Sequence, residues 1–129
     1  MPVTILVVDD DSSIRMLMTR ILLRDGYGVG EATNGEEALE KLRTGSYGVM
    51  ILDLMMPVLS GFEVLRYLAE HDDAGAPKVI VSSAANTPSI ESVRASRNVH
   101  TVIRKPFDLD LLREAVRTCV AEAALPLSQ

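Results

Sequence analysis

The chain has 129 residues, a net charge of −5 at pH 7 and one cysteine. This length fits a single domain, the acidic balance argues against direct nucleic-acid binding, and one cysteine excludes an internal disulfide framework. No apolar run approaches the roughly 20 residues that a membrane-spanning helix needs, and the amino-terminal residues do not resemble a signal peptide. We therefore expect a cytoplasmic protein that does not enter a membrane.

Five apolar runs alternate along the chain with five segments of helical spacing. The predicted strands span residues 4–8, 27–32, 49–53, 78–82 and 99–103. The helix starts are indicated by Asp11 or Ser12, by Asn34 with Glu37 as a capping box, by a turn before Phe62, by Thr87 before Pro88, and by Asp108. Strict alternation of this kind predicts an α/β fold with a parallel sheet, right-handed crossovers and helices on both faces.

The third predicted strand ends on a carboxylate. Residues 49–52 are all apolar, Asp53 follows directly, and Pro57 then prevents a regular element. A short continuous apolar run is typical of a strand that is buried on both faces, and open α/β folds bind ligands at the carboxyl edge of the sheet. We expect the polar residues that end the other strands to converge on Asp53 at this edge: Asp9, Asp10, Ser82, Ser83 and Lys105.

This set of residues suits phosphoryl chemistry. Clustered carboxylates favour a hard cation such as Mg²⁺, and an aspartate can act as a nucleophile to form an aspartyl phosphate. A lysine neutralises a phosphoryl oxygen, and a serine hydroxyl donates to another. Because side chains alternate along a strand, Ser82 and Ser83 point to opposite faces and only one can serve; the spacing to Lys105 favours Ser83.

The same residues resemble the receiver domains of two-component response regulators, of the stand-alone, chemotaxis-regulator type. The resemblance covers about residues 3–122 and is carried by four motifs: Val7-Val8-Asp9-Asp10, Asp53 with Met56-Pro57 and Gly61, Ser83-Ala84, and Lys105-Pro106-Phe107. It implies a flavodoxin-like (βα)5 three-layer sandwich with strand order 2-1-3-4-5. Residues 1–124 would form the receiver domain and 125–129 a short tail, with no effector domain.

The resemblance also implies how the metal would be held. Asp10 would be the main side-chain ligand of Mg²⁺, together with Asp53. The backbone carbonyl of Met55 would be a further ligand, and Asp9 would act through a water molecule.

For the phosphoryl group, the resemblance implies that Asp53 is the acceptor and that Ser83 and Lys105 hydrogen-bond the transferred group. The Lys105-Pro106 bond would be cis. The donor would be a sensor histidine kinase or a phosphotransfer protein. The domain would be no enzyme in the usual sense, since it would catalyse only its own phosphorylation and slow dephosphorylation. Its downstream target is unknown.

Three positions depart from the family pattern. Val102 stands where the family often has an aromatic switch residue coupled to Ser83, and valine has no ring to rotate. Met55 and Ala85 are unable to orient a water molecule, so we expect a long-lived phosphoryl group. We expect the output surface to lie on the fourth and fifth helices around Val102, in a monomer or a phosphorylation-dependent homodimer.

Two other readings are open at this point. A phosphatase of the haloacid dehalogenase type would need an Asp-x-Asp nucleophile on its first strand and a cap domain, which Asp53 and the short chain do not fit. A binding module with the same fold but no phosphate chemistry would not need Asp9, Asp10 and Lys105. The chain is also open to being a receiver fragment of a longer regulator.

Overall fold

The computed structural model describes residues 3–71, 76–84 and 89–123, and within these ranges five strands alternate with five helices. The strands are β1 (Thr4–Val8), β2 (Gly28–Ala32), β3 (Val49–Asp53), β4 (Lys78–Ser83) and β5 (Val99–Arg104). The helices are α1 (Ser12–Arg24), α2 (Gly35–Thr44), α3 (Gly61–Glu70), α4 (Ser89–Arg94) and α5 (Leu109–Ala123). The predicted α/β fold is confirmed. The predicted tail, residues 125–129, lies outside the described residues.

The strands form one parallel sheet in the order β2-β1-β3-β4-β5, as predicted. All five residues of β3 are buried because this central strand has a neighbour on each side and helices over both faces. Since every strand runs in the same direction, the carboxyl ends of β1, β3, β4 and β5 open on one edge. That edge carries the predicted functional residues.

Alternate residues of the strands divide the core into two clusters. One lies under α1 and α5 and contains Val7, Ile51, Ile80 and Ile103 from the sheet. The other lies under α2, α3 and α4. Cys119 on α5 is buried in the first cluster, and burial raises the pKa of its thiol to about 11.

Two strands extend one residue beyond their predicted ends. β4 includes Ser83 and β5 includes Arg104, and the two residues pair in the ladder. The sequence prediction stopped earlier because polar residues end the apolar runs, whereas backbone pairing continues wherever the neighbouring strand is present. β2 begins at Gly28, one residue later than predicted.

The helix starts largely agree with prediction. Asp11, and not Ser12, caps α1 by accepting backbone N–H groups from the first turn. Asn34 caps α2, but the Glu37 carboxylate accepts from the N–H of Thr33, so the reciprocal bond of the predicted capping box is displaced by one residue. The predicted cap Thr87 lies outside the described residues. Among the helices that the structure does describe, none has the length and apolar character to cross a bilayer.

Candidate functional site

Three carboxylates meet at the carboxyl edge of the sheet. Asp9 and Asp10 follow β1, and Asp53 ends β3, the neighbouring strand. One oxygen from each of the three lies within 4.8 Å of the other two. Asp9 is fully buried and Asp53 is 4% exposed, whereas Asp10 is exposed. The predicted convergence of these residues is therefore present, with one carboxylate open to solvent.

Lys105 supplies the positive charge of this cluster. It follows β5, and its Nζ lies 2.8 Å from Oδ2 of Asp9 and 3.4 Å from Oδ2 of Asp53. Its backbone N–H donates to the carbonyl of Ser83, which ties the lysine to the end of β4. The Lys105–Pro106 peptide bond is cis, as the family resemblance implies. One ammonium group thus bridges two buried carboxylates that would otherwise repel each other.

Burial and charge act against each other at these two groups. Burial raises the pKa of Asp53 and the charge of Asp9 adds to this, while the N–H of Met55 and the ammonium of Lys105 oppose it. Burial alone would lower the pKa of Lys105, but its hydrogen bond to Asp9 and the charge of Asp53 outweigh burial and raise it. The lysine therefore stays charged, and Asp53 is a more basic carboxylate than one in water.

The loop after β3 is packed tightly against Asp53. The N–H of Met55 donates to Oδ1 of Asp53 at 3.2 Å. A Cβ added at Gly61 would lie 2.4 Å from the carbonyl oxygen of Asp53, so only glycine lets α3 begin this close to β3. Val58 in this loop has a positive φ of 70° and is 72% exposed.

A capping box that the sequence analysis missed holds the end of this loop. Ser60 accepts the N–H of Glu63, and the Glu63 carboxylate accepts the N–H of Ser60. The pattern of a serine followed three residues later by a glutamate is present in the sequence and could have located the start of α3. The box fixes where α3 begins relative to Asp53.

Arg15 is a second residue of the site that the sequence analysis missed. Its Nη1 donates to the carbonyl of Asp9 at 2.8 Å, and its Nε donates to Glu31 at 3.0 Å. The side chain is only 14% exposed. Together with the N–H of Asp11, which donates to Oδ1 of Asp9, this arginine fixes the backbone that presents the acidic pair. No sequence signal pointed to this contact, because it depends on how α1 is rotated over the sheet.

The two serines of β4 are both buried, and their neighbours differ. Ser82 pairs with Asp53 in the β3–β4 ladder, whereas Ser83 pairs with Arg104. The role of Ser83 toward a phosphoryl group stays a prediction, as does that of the Met55 carbonyl toward a metal. Val102 is buried beside Val81 under α4. Ala85 lies outside the described residues.

The donor set fits a hard divalent cation. Three carboxylates offer the oxygen ligands that Mg²⁺ prefers, and the exposed Asp10 leaves an approach from solvent. An anionic group beside such a cation would also meet the ammonium of Lys105. Fold and site together define an open α/β domain whose carboxyl edge carries three clustered carboxylates and a lysine.

The chain belongs to the response regulator receiver domain family, whose sequence pattern it matches over residues 5–117. It is 37% identical over 116 residues to the response regulator RR06 of Streptococcus pneumoniae, a match that covers 90% of this chain and 52% of RR06. It is 35% identical to the transcriptional regulatory protein ResD of Bacillus subtilis, covering 95% of this chain and 53% of ResD. The chain thus spans about half the length of these curated relatives. Membership of this family favours a phosphorylation-activated switch over the phosphate-independent binding module.

Solved structures agree with this assignment. The response regulator TrrA of Thermotoga maritima, in complex with Mg²⁺ and BeF, superposes with a TM-score of 0.77 and is 36% identical, covering 92% of this chain and 99% of that one. A CheY-like receiver domain from Methanospirillum hungatei has a TM-score of 0.87 at 24% identity, covering 95% and 97% of the two chains. The second likeness shows the fold alone.

Proposed function

We propose that this receiver domain accepts a phosphoryl group on Asp53, with Mg²⁺ held by Asp10, Asp53, the Met55 carbonyl and, through water, Asp9. The observation that carries the proposal is the contact of Lys105 Nζ with both Asp9 and Asp53 beside an exposed third carboxylate. A site of this kind combines a nucleophile, ligands for a hard cation and a fixed positive charge. The TrrA relative was crystallised with Mg²⁺ and BeF, which supports the same pairing here.

The transfer requires one bond to form and one to break. An oxygen of the Asp53 carboxylate attacks phosphorus, and the bond from phosphorus to the donor breaks as its electron pair leaves with the donor. When bound, Mg²⁺ would neutralise negative charge on the phosphoryl oxygens. Lys105 already faces Oδ2 of Asp53 and would donate to the same group, as would Ser83. The raised basicity of Asp53 favours its attack.

The proposal extends to the phosphoryl donor and to the cellular setting. We infer that a histidine kinase or a phosphotransfer protein phosphorylates the domain in the cytoplasm, and that the domain is no enzyme toward other substrates. Phosphorylation would shift the population toward a conformation with a different partner-binding surface. We propose that this surface binds a downstream target protein. The same role would apply if the chain is the receiver part of a longer regulator. A direct nucleic-acid contact is not part of it, because the chain is acidic.

The test is phosphorylation by a small donor. Incubation with acetyl phosphate and Mg²⁺ should add one phosphoryl group to the intact mass. The Asp53→Asn variant should add none, and removal of Mg²⁺ by a chelator should abolish the adduct. Asp110→Asn, which changes a 94% exposed carboxylate on α5, serves as the matched control and should be phosphorylated like the wild type.

Light scattering on the same samples separates a monomer from a homodimer that forms only after phosphorylation through α4, β5 and α5. An unchanged solution mass would rule out that dimer. Failure of wild-type protein both to take phosphate and to bind Mg²⁺ would leave the phosphate-independent binding module as the better account, whereas Mg²⁺ binding without an adduct would point to a selective donor.

A further inference from the structure

One buried hydroxyl next to the site has no partner. Ser82 in β4 is fully buried, and its Oγ makes no hydrogen bond among the described residues. Native proteins contain few such atoms, and each calls for an explanation. Thr19 on α1 carries the other one in the described part of the chain. A helical threonine, however, can rotate toward the carbonyl of the preceding turn, and a serine inside a strand has no such turn beneath it.

The sheet register places Ser82 beside Asp53. The two Cα atoms are partners in the β3–β4 ladder, and adjacent strands lie roughly 4.8 Å apart. Ile51 and Ile80, two residues before Asp53 and Ser82, belong to the same core cluster. Because side chains alternate along a strand, Asp53 and Ser82 therefore project from the same face of the sheet. The hydroxyl flanks the acceptor on the side opposite to Asp9.

Lys105 lies on this face as well. It stands two residues after Ile103, which shares the same cluster, and it reaches Asp53 and Asp9 from the strand beyond β4. Ser82 belongs to the strand between the lysine and the two carboxylates. The strand register therefore places the Ser82 hydroxyl on the face that carries Asp53 and between the strands that carry Lys105 and Asp53.

We propose, resting on the proposed function, that Ser82 is a second hydroxyl of the phosphorylation site. Without phosphate, Oδ1 of Asp53 accepts from Met55 and Oδ2 faces Lys105, and the Ser82 hydroxyl has no partner. Phosphorylation turns one of these oxygens into the bridging atom of an acyl phosphate and draws Lys105 toward the new group. The oxygens of the modified side chain then accept the Ser82 hydroxyl. Ser82 thereby stabilises the phosphorylated state relative to the free one. This proposal departs from the sequence-based expectation that only one of the two serines can serve, because Ser82 shares the face of Asp53.

The test measures two quantities in three variants: the affinity for a phosphoryl mimic on Asp53, called loading below, and the stability of the fold. Ser82→Ala removes the hydroxyl, Ser82→Cys keeps nearly the same volume with a much weaker donor, and Ser82→Thr restores the hydroxyl. Binding of beryllofluoride with Mg²⁺, which forms a phosphoryl mimic on the aspartate, is measured by calorimetry. Urea unfolding is followed with and without the mimic.

We expect Ser82→Ala and Ser82→Cys to bind beryllofluoride roughly three- to tenfold more weakly, with Ser82→Thr closer to the wild type. In the unloaded protein, Ser82→Ala should leave the urea midpoint unchanged or raise it, since the hydroxyl it removes is unpaired. A merely structural serine would give the opposite result: a lower unloaded midpoint and unchanged loading.

Different results would overturn the Ser82 proposal and the proposed phosphorylation of Asp53. If wild type loads on Asp53 and Ser82→Ala loads within twofold of it, the Ser82 proposal is overturned and the receiver chemistry stands. Weaker loading of Ser82→Ala that Ser82→Cys restores would show a packing effect and would also overturn it. Wild type that takes up neither phosphate nor beryllofluoride overturns both.

Discussion

Asp53 carries its charge where burial opposes it. Two of its surroundings stabilise the anion, the N–H of Met55 and the ammonium of Lys105, and two destabilise it, burial and the nearby Asp9. A cation bound among the carboxylates would offset the repulsion between Asp9 and Asp53, because both would be attracted to the shared ion. Asp10 is the exposed carboxylate of the three and leaves the cluster open to solvent.

Val58 is strained in the loop that follows the acceptor. Its φ of 70° lies in the left-handed region, which costs an L-residue about 1–2 kcal/mol and is least favourable for a β-branched side chain. The side chain is 72% exposed, so little packing compensates for this cost. We expect Val58→Gly to raise the free energy of unfolding by about 1 kcal/mol in urea titrations.

Val58→Asn is the matched variant, because asparagine tolerates the left-handed region while keeping a side chain. It should also stabilise the domain. Val58→Ala keeps a Cβ and should gain less than either. A loss of stability in Val58→Gly would mean that the exposed side chain makes contacts worth more than the strain.

At the scale of elements, Asp53 and Asp9 are each held by the helix that follows the strand before them. α3 starts against the carbonyl of Asp53 because Gly61 has no Cβ and Ser60 and Glu63 cap each other. α1 holds the acidic pair through Arg15, which bonds the Asp9 carbonyl from the first turn of the helix. The βα turns are thus the parts that set the site's geometry.

Arg15→Met tests the α1 contact. Loss of the guanidinium frees the Asp9 carbonyl and the backbone of Asp10, so Mg²⁺ affinity should fall roughly tenfold, as for other residues that orient metal ligands. Calorimetric titration with MgCl₂ measures the affinity, and circular dichroism checks that the fold is retained. Arg20→Met changes an exposed arginine on the same helix and should leave affinity unchanged.

Glu31→Gln distinguishes the contributions that the two hydrogen bonds of Arg15 make to Mg²⁺ affinity. It removes the charge partner of Nε while leaving the bond to the Asp9 carbonyl in place, so its effect should be smaller than that of Arg15→Met. Equal Mg²⁺ affinity in Arg15→Met and wild type would show that the acidic pair holds its shape without α1.

The order of elements and the position of Asp53 at the end of a buried strand were predictable from local hydrophobic spacing and general chirality rules, whereas the strand order that makes this strand central came from the family resemblance. The parallel sheet predicted that Asp9, Asp53 and Lys105 share one edge, and the strand order implied by the resemblance brought their strands close together. The contact of Arg15 with the Asp9 carbonyl was not predictable, because it depends on how α1 is rotated over the sheet. The register that pairs Ser82 with Asp53 likewise depends on the alignment of two whole strands.

On the scale of the whole molecule, an ion pair joins the C-terminal end of α1 to α5, the two helices that cover the same face of the sheet. Arg113 on α5 donates through Nε and Nη2 to the carboxylate of Asp25, which caps the C-terminus of α1, each at 2.9 Å. These hydrogen bonds lower the pKa of Asp25 below its ordinary value of 3.8. The pair joins residues that are far apart in sequence and so resists separation of the two helices.

The lowered pKa predicts a pH-dependent contribution. Because the folded-state pKa lies below the unfolded one, the stabilisation is present above the unfolded value of 3.8 and is lost as pH falls through the folded value. Wild type should therefore exceed Asp25→Asn in urea midpoint at pH 7, and the difference should shrink as the pH falls below 3.8 and through the lower folded-state pKa. In an Arg113→Gln background the Asp25→Asn difference should be small and independent of pH. A difference that persists there would contradict the assignment to Arg113.

The buried thiol of Cys119 reports on opening of the folded chain. Thiol reagents attack the thiolate, and this thiol is both inaccessible and held protonated at neutral pH by its pKa of about 11. Alkylation therefore requires α5 to lift away from the sheet or the domain to unfold. Since the sequence contains no other cysteine, each modified molecule records one such opening. The rate of alkylation of the wild-type protein therefore measures how often α5 separates from the sheet or the domain unfolds.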